Sequence, residues 1–158
     1  MSRSEERRVP FALRPATQDD EDFAWQIFKL TMQESIASMW GTWDDVRWNT
    51  FFRRHYDPSL TRIIVVDGRD VGILRVEERT TEVWLDTVEI APEQQGRGLG
   101  STIVRAVLAD ARSRNRPVGL QVNRANRARL LYERLGFIEV GSTDTHHLMR
   151  AEPDAGCN

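Results

Sequence analysis

The sequence predicts a mixed α/β fold whose first half is built on an antiparallel sheet. Three runs rich in β-branched residues follow one another between residues 61 and 90, joined by short turns. An apolar stripe at helical spacing follows over 98–114, and strand-like and helical segments then alternate up to residue 150. A length of 158 residues without a long linker predicts one domain over 1–158, with loose polar tails at 1–8 and 152–158.

The first 60 residues are predicted to form a strand and two helices. Alternating apolar residues indicate a short strand over 9–14, which Pro15 ends. Thr17 then precedes a run of acidic residues, which is typical of a helix start because carboxylates stabilise the positive end of the helix dipole. A break at 39–43 separates this helix from a second helix over 44–55.

The remaining chain is predicted to continue the sheet and then alternate. The runs 63–66, 71–76 and 83–90 indicate an antiparallel meander, because Asp67-Gly68 between two β-rich runs is a strong hairpin signal. The later elements are predicted in the order helix, strand, helix, strand, strand, over 98–114, 117–122, 126–135, 137–140 and 143–150.

Composition excludes several classes of function. The single Cys157 excludes an internal disulfide framework and a multi-cysteine zinc site, so no metal is expected. Lys29 is the only lysine and follows no glycine loop, which argues against a P-loop nucleotide hydrolase. A net charge of −2 favours neither nucleic acid nor a membrane surface as a partner. Without a long apolar run or an apolar leader, a cytoplasmic protein is expected.

The segment 92–100 (PEQQGRGLG) carries the clearest chemical signal. It follows a strand and opens a helix, so its glycines let the main chain approach a ligand while the free amides of the helix start attract an anion. The pattern therefore predicts a phosphate or pyrophosphate site. A dinucleotide fold is the weaker alternative, because Ser101 stands where its third glycine belongs and the strand over 118–122 ends without an acidic residue.

Two blocks of the sequence resemble the GNAT superfamily of acetyl-coenzyme-A-dependent N-acetyltransferases. The first is 95–100 (QGRGLG), and the second runs from 120–122 (LQV) through Asn126 to 131–137 (LYERLGF). The resemblance covers about residues 61–150. It implies a mixed, mostly antiparallel sheet of about seven strands, split into a V between the fourth and fifth strands and flanked by about four helices. It also implies acetyl-CoA as the cofactor.

The resemblance further implies which residues bind that cofactor. The fourth strand would contact the pantetheine arm and the glycine loop would hold the pyrophosphate. Asn126 lies six residues before Tyr132 instead of the commoner seven, so a helix N-cap is an alternative role for it. The expected cofactor-binding residues are Val88, Glu89, Ile90, Gln95, Gly96, Arg97, Gly98, Leu99, Gly100, Ser101, Asn126 and Tyr132.

The expected catalytic residues are Tyr132, which the resemblance implies, and Glu89, which would lie nearest the cofactor carbonyl on the fourth strand. Tyr132 would protonate the leaving thiolate, with a purely packing aromatic as the alternative. Some family members have a glutamate that acts as the general base at the position of Gln121. Because glutamine cannot act as a base, the candidates that remain are Glu89, Asp86 and Glu77. Strand alternation would put Glu89 on one face with Leu85, and Asp86 on the other. There are two alternatives: Glu89 only binds the substrate ammonium, or the enzyme has no dedicated base.

The acceptor site is expected near the first two helices. Its candidate residues are Trp40, Trp43, Glu77, Asp86 and His146, although the tryptophans at helical spacing also suit a core. The predicted function is acetyl transfer from acetyl-CoA to a primary amine of a small molecule or peptide, by direct attack in a ternary complex. The alternative is a catalytically weak acyl-CoA-binding sensor of the same fold. The sequence leaves open whether the protein forms a homodimer.

Overall fold

The computed structural model describes residues 10–153 and contains eleven main elements. The seven strands are β1 (Ala12–Pro15), β2 (Thr61–Val66), β3 (Arg69–Glu78), β4 (Val83–Ile90), β5 (Val118–Asn123), β6 (Ile138–Ser142) and β7 (His146–Ala151). The four α-helices are α1 (Glu21–Trp40), α2 (Asp45–His55), α3 (Leu99–Ser113) and α4 (Ala128–Arg134). The predicted mixed α/β fold, with about seven strands and four helices, is confirmed.

The ends of some elements differ from the sequence prediction for local reasons. The helix predicted over 98–114 begins at Leu99, because Gly98 has a left-handed φ of 82°. The helix predicted over 126–135 begins only at Ala128, whose amide donates to the side-chain oxygen of Asn126 at 2.9 Å. The start of the predicted first strand and most of the two tails lie outside the described residues. One domain over 1–158 stays a prediction.

The sheet opens between β4 and β5, as predicted. The strand order is β1-β2-β3-β4-β5-β7-β6, and β4 runs parallel to β5 whereas the other neighbours are antiparallel. Only two residue pairs join these parallel strands, Val83 with Val118 and Trp84 with Gly119. Beyond Trp84 the two strands diverge, so each has an unpaired edge facing the gap.

Helices pack on both faces of the sheet. Ile103, Val104 and Leu108 of α3 are buried in one core cluster that also contains Leu85 and Leu120 of the diverging strands. A smaller cluster on the other face joins α1 to β2 and β3. None of the helices within 10–153 combines the length and apolar content needed to cross a membrane.

A bulge in β4 changes which residues share a face. The β3–β4 register shifts so that Leu85 pairs with Val76 and Thr87 with Arg75, which leaves Asp86 without a partner. Leu85 and Ile90 therefore both lie in the α3-side cluster, although they are an odd number of residues apart. The predicted common face of Glu89 and Leu85 is wrong, because the extra residue turns Glu89 towards α1.

Candidate active site

A cavity of about 1050 Å³ occupies the gap between β4 and β5. One wall comes from α1, α2, β3 and β4, and the other from the glycine loop, the start of α3, β5 and α4. Three of the predicted site residues, Arg97, Trp43 and Glu77, do not line it. The predicted residues that do are Val88, Glu89, Ile90, Gln95, Gly96, Gly98, Leu99, Gly100, Ser101, Asn126, Tyr132, Trp40, Asp86 and His146.

The glycine loop presents free backbone amides to the cavity. Gly96 and Gly98 have φ values of 78° and 82°, a left-handed region that disfavours other residues. The Gln95 side chain donates from Nε2 to the Ile90 carbonyl at 2.8 Å, which fixes the loop to the end of β4. The backbone amides of the first turn of α3, beginning with Leu99, have no intrahelical hydrogen-bond acceptor. This arrangement can bind an anion such as a phosphate.

The opposite wall adds polar and basic groups. The Asn126 side-chain oxygen accepts from the Ala128 amide at 2.9 Å beside the start of α4, although the N-cap position itself is Arg127 and not Asn126. Asn123, at the end of β5, is buried and its side-chain oxygen accepts from the Ala125 amide at 2.9 Å. Arg127 and Arg134 also line the cavity, so this side carries positive charge.

Glu89 carries an unsatisfied buried oxygen. Its Oε2 is inaccessible to solvent and has no hydrogen-bond partner among the described residues. Burial raises the pKa of Glu89 to about 8; the Thr31 hydroxyl lowers this pKa and the nearby Asp86 carboxylate raises it. The β3 chain passes so close that a Cβ added at Gly72 would collide with the Glu89 carbonyl oxygen.

Tyr132 of α4 lines the same cavity as Glu89 of β4. Its ring packs edge-on against Phe137, with the ring centroids 5.6 Å apart, and only 8% of the residue is exposed. Burial raises the pKa of Tyr132 to about 12, and the charge of Glu89 contributes to this rise. Its hydroxyl therefore stays protonated at neutral pH and can donate a hydrogen bond. The structure thus brings the two predicted catalytic side chains to one cavity.

Arg75 organises the acidic residues beside Glu89. It donates to the Glu77 carboxylate and to the His55 carbonyl, both at 3.1 Å, and its Nε lies 3.6 Å from Asp86. Glu77 also lies 3.4 Å from Arg79, so it belongs to an ion-pair network beside the cavity. Arg75 was not predicted from the sequence, and no local motif would have identified it, because two of its three partners, His55 and Asp86, lie on other elements.

Aromatic residues fill the α1–α2 side. Trp43 stacks between Trp25 and Trp48, at centroid distances of 6.1 and 6.0 Å, which keeps it within the packed cluster. Trp40 lines the cavity and is 57% exposed. The lining residues Phe28, Phe51 and Phe52 were not predicted from the sequence. The aromatic positions 48, 51 and 52, with His55 one turn further along α2, are the signal that could have found part of this wall.

The two adjacent histidines of β7 point to different surroundings. His146 lines the cavity, accepts or donates at Nδ1 with the Thr145 hydroxyl at 2.7 Å, and has its pKa lowered by burial. His147 instead pairs with Glu139 of β6. Within residues 10–153, no three side chains of the His, Cys, Asp and Glu types come together as metal ligands.

Comparison with known proteins agrees with this geometry. The PaiA N-acetyltransferase from Thermoplasma acidophilum, solved in complex with coenzyme A, shares 14% identity and a TM-score of 0.73 over 90% of this chain and 99% of its own. The ribosomal-protein-S18-alanine N-acetyltransferase from Escherichia coli has 19% identity and a TM-score of 0.65, over 90% of this chain and 94% of its own. An acetyltransferase from Thermus thermophilus has 21% identity and a TM-score of 0.68, covering 92% and 98%. No curated protein sequence matches significantly.

The split sheet has the fold of the acetyltransferases named above, and together with the domain profile it places the chain in the acyltransferase class of enzyme. The sequence profile of the acetyltransferase (GNAT) domain matches residues 59–139, just over half of the chain. The chain belongs to the GNAT acetyltransferase family, whose members use acetyl-CoA. The residues present fit that coenzyme, because free amides suit its phosphates and the unpaired strand edges at the gap can bond an extended, amide-bearing arm.

Proposed function

We propose that this protein transfers an acetyl group from acetyl-CoA to a primary amine of a small molecule or peptide, by direct attack in a ternary complex. The observation that carries the proposal is that Glu89 and Tyr132 line one cavity, which the free helix-start amides of α3 also border. A proton acceptor and a proton donor thus face one space beside an anion site, which acyl transfer to an amine requires.

The coenzyme-binding role proposed for the glycine loop rests on its amides. Bound acetyl-CoA supplies an acetyl group activated as a thioester. The backbone from Gly96 to Ser101 would hold the diphosphate, and Arg97, although outside the cavity lining, would add charge from the loop. The main chain of Val88, Glu89 and Ile90 would bind the amide-bearing arm at the unpaired edge of β4, and Asn126 would border it from α4.

Glu89 is proposed as the group that receives the proton of the amine. Its unpartnered Oε2 can accept a hydrogen bond from an ammonium, and a pKa of about 8 makes it a stronger base than an ordinary carboxylate. Gln121 also lines the cavity but cannot serve as a base. Asp86 lies near Arg75, which keeps its charge partly balanced and favours Glu89 for this role.

Tyr132 is proposed as a hydrogen-bond donor to the leaving sulfur. An ordinary thiol has a pKa of about 8.5, well below the value of about 12 for Tyr132, so complete proton transfer from the tyrosine is uphill. Donating a hydrogen bond from Oη requires no such transfer. Because the raised pKa keeps the proton on Tyr132, its hydroxyl can stabilise the leaving sulfur throughout the neutral pH range.

The test of the proposal is free-thiol release from acetyl-CoA in the presence of a panel of primary amines. Amine-dependent thiol release supports the enzyme, and Glu89→Gln should lower its rate at pH 8. Saturable binding of acetyl-CoA without amine-dependent release would instead favour the sensor of the same fold. A control without amine measures hydrolysis and is subtracted.

A further inference from the structure

The half of the cavity next to α1 and α2 is an aromatic chamber. We define this chamber by Phe28, Trp48, Phe51 and Phe52, all of which line the cavity. Phe28 lies 5.1 Å from Phe52 and 6.4 Å from Trp48, and Phe51 packs edge-on to Trp48 at 5.5 Å, all between ring centroids. Aromatic walls of this kind favour a flat or apolar ligand, because ring contacts add to the burial of apolar area.

Large apolar side chains at the mouth of this chamber are exposed to solvent. Phe51 is 48% exposed and Trp40 is 57% exposed, and both border the same cavity. Exposed apolar groups grouped around a concave site mark a binding surface, since a ligand that covers them removes apolar area from water. The occupant therefore has an apolar body that reaches from the chamber to its mouth.

The charges at the inner end of the chamber suit a single positive group. Glu89 provides one buried carboxylate oxygen without a partner. The neighbouring Asp86 lies 3.6 Å from Arg75 and accepts from the Thr87 hydroxyl at 3.0 Å. One free acceptor beside a balanced ion pair can bind one ammonium, whereas a diamine would leave its second charge among aromatic rings at a large desolvation cost.

Several hydrogen-bond donors on this wall are already engaged. The Tyr56 hydroxyl donates to the Thr17 carbonyl at 2.7 Å, and Arg75 donates to Glu77 and to the His55 carbonyl. The Arg75 Nε has no hydrogen-bond partner within residues 10–153 and lies 3.6 Å from the Asp86 carboxylate, which competes with an acceptor for it. The His55 ring bonds through Nδ1 to the Phe51 carbonyl at 2.8 Å. A carboxylate or a peptide carbonyl on the acceptor would therefore lose its hydration and find few free donors here, which disfavours amino acids and peptides.

We propose that the acceptor is a primary monoamine with an aromatic body and no acidic group, an arylalkylamine in chemical terms. This inference rests on the proposed function and names its substrate class. The transfer forms one C–N bond and breaks one C–S bond. The ammonium loses two protons: one ends on the thiol sulfur and the other passes through Glu89 to solvent.

The test compares kcat/KM for four probes by thiol release. They are 2-phenylethylamine, phenylalanine, 1,4-diaminobutane and a short amidated peptide that begins with phenylalanine. We expect 2-phenylethylamine to exceed each of the others by at least about a hundredfold, because the others bring unpaired polar groups into the chamber. Equal or faster transfer to the amino acid, the diamine or the peptide overturns the inference alone. No thiol release with any of these probes, while another primary amine of the panel supports release, also overturns the inference alone. No release with any amine of the panel overturns the proposed function together with it.

A variant pair separates the chamber from general effects on folding. Phe51→Ala should raise KM for 2-phenylethylamine about tenfold, the scale of a lost apolar contact, and leave KM for acetyl-CoA unchanged. Phe51→Leu should recover most of this loss. Val46→Ala is the control, because Val46 lies on the same helix, is 76% exposed and does not line the cavity. An unchanged KM in Phe51→Ala contradicts the chamber as the acceptor site.

Discussion

The carboxyl group of Glu89 shows how a single residue gains its chemistry from position. An ordinary glutamate is ionised at neutral pH, but burial on the α1 side of β4 raises the pKa of Glu89 to about 8. The sequence identified this residue as a candidate and could not foresee its orientation. The bulge at Asp86 sets that orientation, and it depends on the pairing of β4 with the distant Arg75 and Val76.

The raised pKa of Glu89 predicts an effect on stability. The folded protein holds the Glu89 carboxyl proton more tightly than the unfolded chain does. The contribution of this group to the free energy of unfolding is therefore largest below pH 4.5 and is lost as the pH rises to about 8. Glu89→Gln should therefore stabilise the ligand-free protein at pH 8 by about 3 kcal/mol. Each pKa unit is worth about 1.4 kcal/mol, and relaxation and water penetration around a buried charge reduce the full effect.

Chemical denaturation at two pH values checks this prediction. The variant and the wild-type protein should have nearly equal free energies of unfolding near pH 4, where the carboxyl is protonated in both states. Because other groups titrate equally in both proteins, the difference between them isolates Glu89. A variant that is less stable than the wild type at pH 8 would contradict the burial of this carboxyl.

Tyr132 offers a second prediction for a single atom. Tyr132→Phe removes the hydroxyl and keeps the ring that packs against Phe137. We expect kcat to fall by more than about tenfold, because a hydrogen-bond donor to the charge that develops on the leaving sulfur is lost, while the affinity for acetyl-CoA changes little. Steady-state kinetics and calorimetric titration measure the two quantities, and an unchanged kcat would return Tyr132 to a packing role.

At the scale of elements, the turn from β4 into α3 was the most predictable part of the site. Its glycines and the helix that follows are local in sequence, so 92–100 indicated an anion site without any tertiary information. The Gln95 bond to the Ile90 carbonyl was not predictable, because it depends on how the loop folds back. The aromatic chamber was only partly foreseen, since the packing of α1 against α2 decides which rings reach the cavity and which, such as Trp43, pack among themselves.

The glycine loop yields a prediction at this scale. Gly98→Leu should weaken binding of coenzyme A at least about a hundredfold, because the side chain would enter the space in front of the helix amides. The fold should persist: no atom lies within 4 Å of a Cβ there, and the left-handed backbone costs about 1–2 kcal/mol.

Gly68→Leu is the matched control for that variant. Gly68 also has a left-handed φ, of 74°, and no atom within 4 Å of an added Cβ, but it does not line the cavity. Calorimetric titration with coenzyme A and circular dichroism compare the two variants. Intact affinity in Gly98→Leu would remove the loop from the binding site.

At the scale of the whole molecule, the two halves of the sheet are joined by two residue pairs. A ligand that bridges the gap binds only the folded protein, so it raises stability by about 2.7 kcal/mol at a hundred times its Kd. For a chain of this size that corresponds to a rise in Tm of roughly 5–11 °C. Thermal melting with and without coenzyme A measures the rise, and Gly98→Leu should show at most about 1–2 °C at the same concentration.

The diverging strands also bear on how the protein behaves in storage. Past Trp84 and Gly119, β4 and β5 each offer a row of main-chain donors and acceptors to any extended segment that reaches them. Open strand edges of this sort invite pairing with other chains and hence aggregation. Preparations kept with coenzyme A should consequently remain monodisperse at concentrations where the bare protein precipitates.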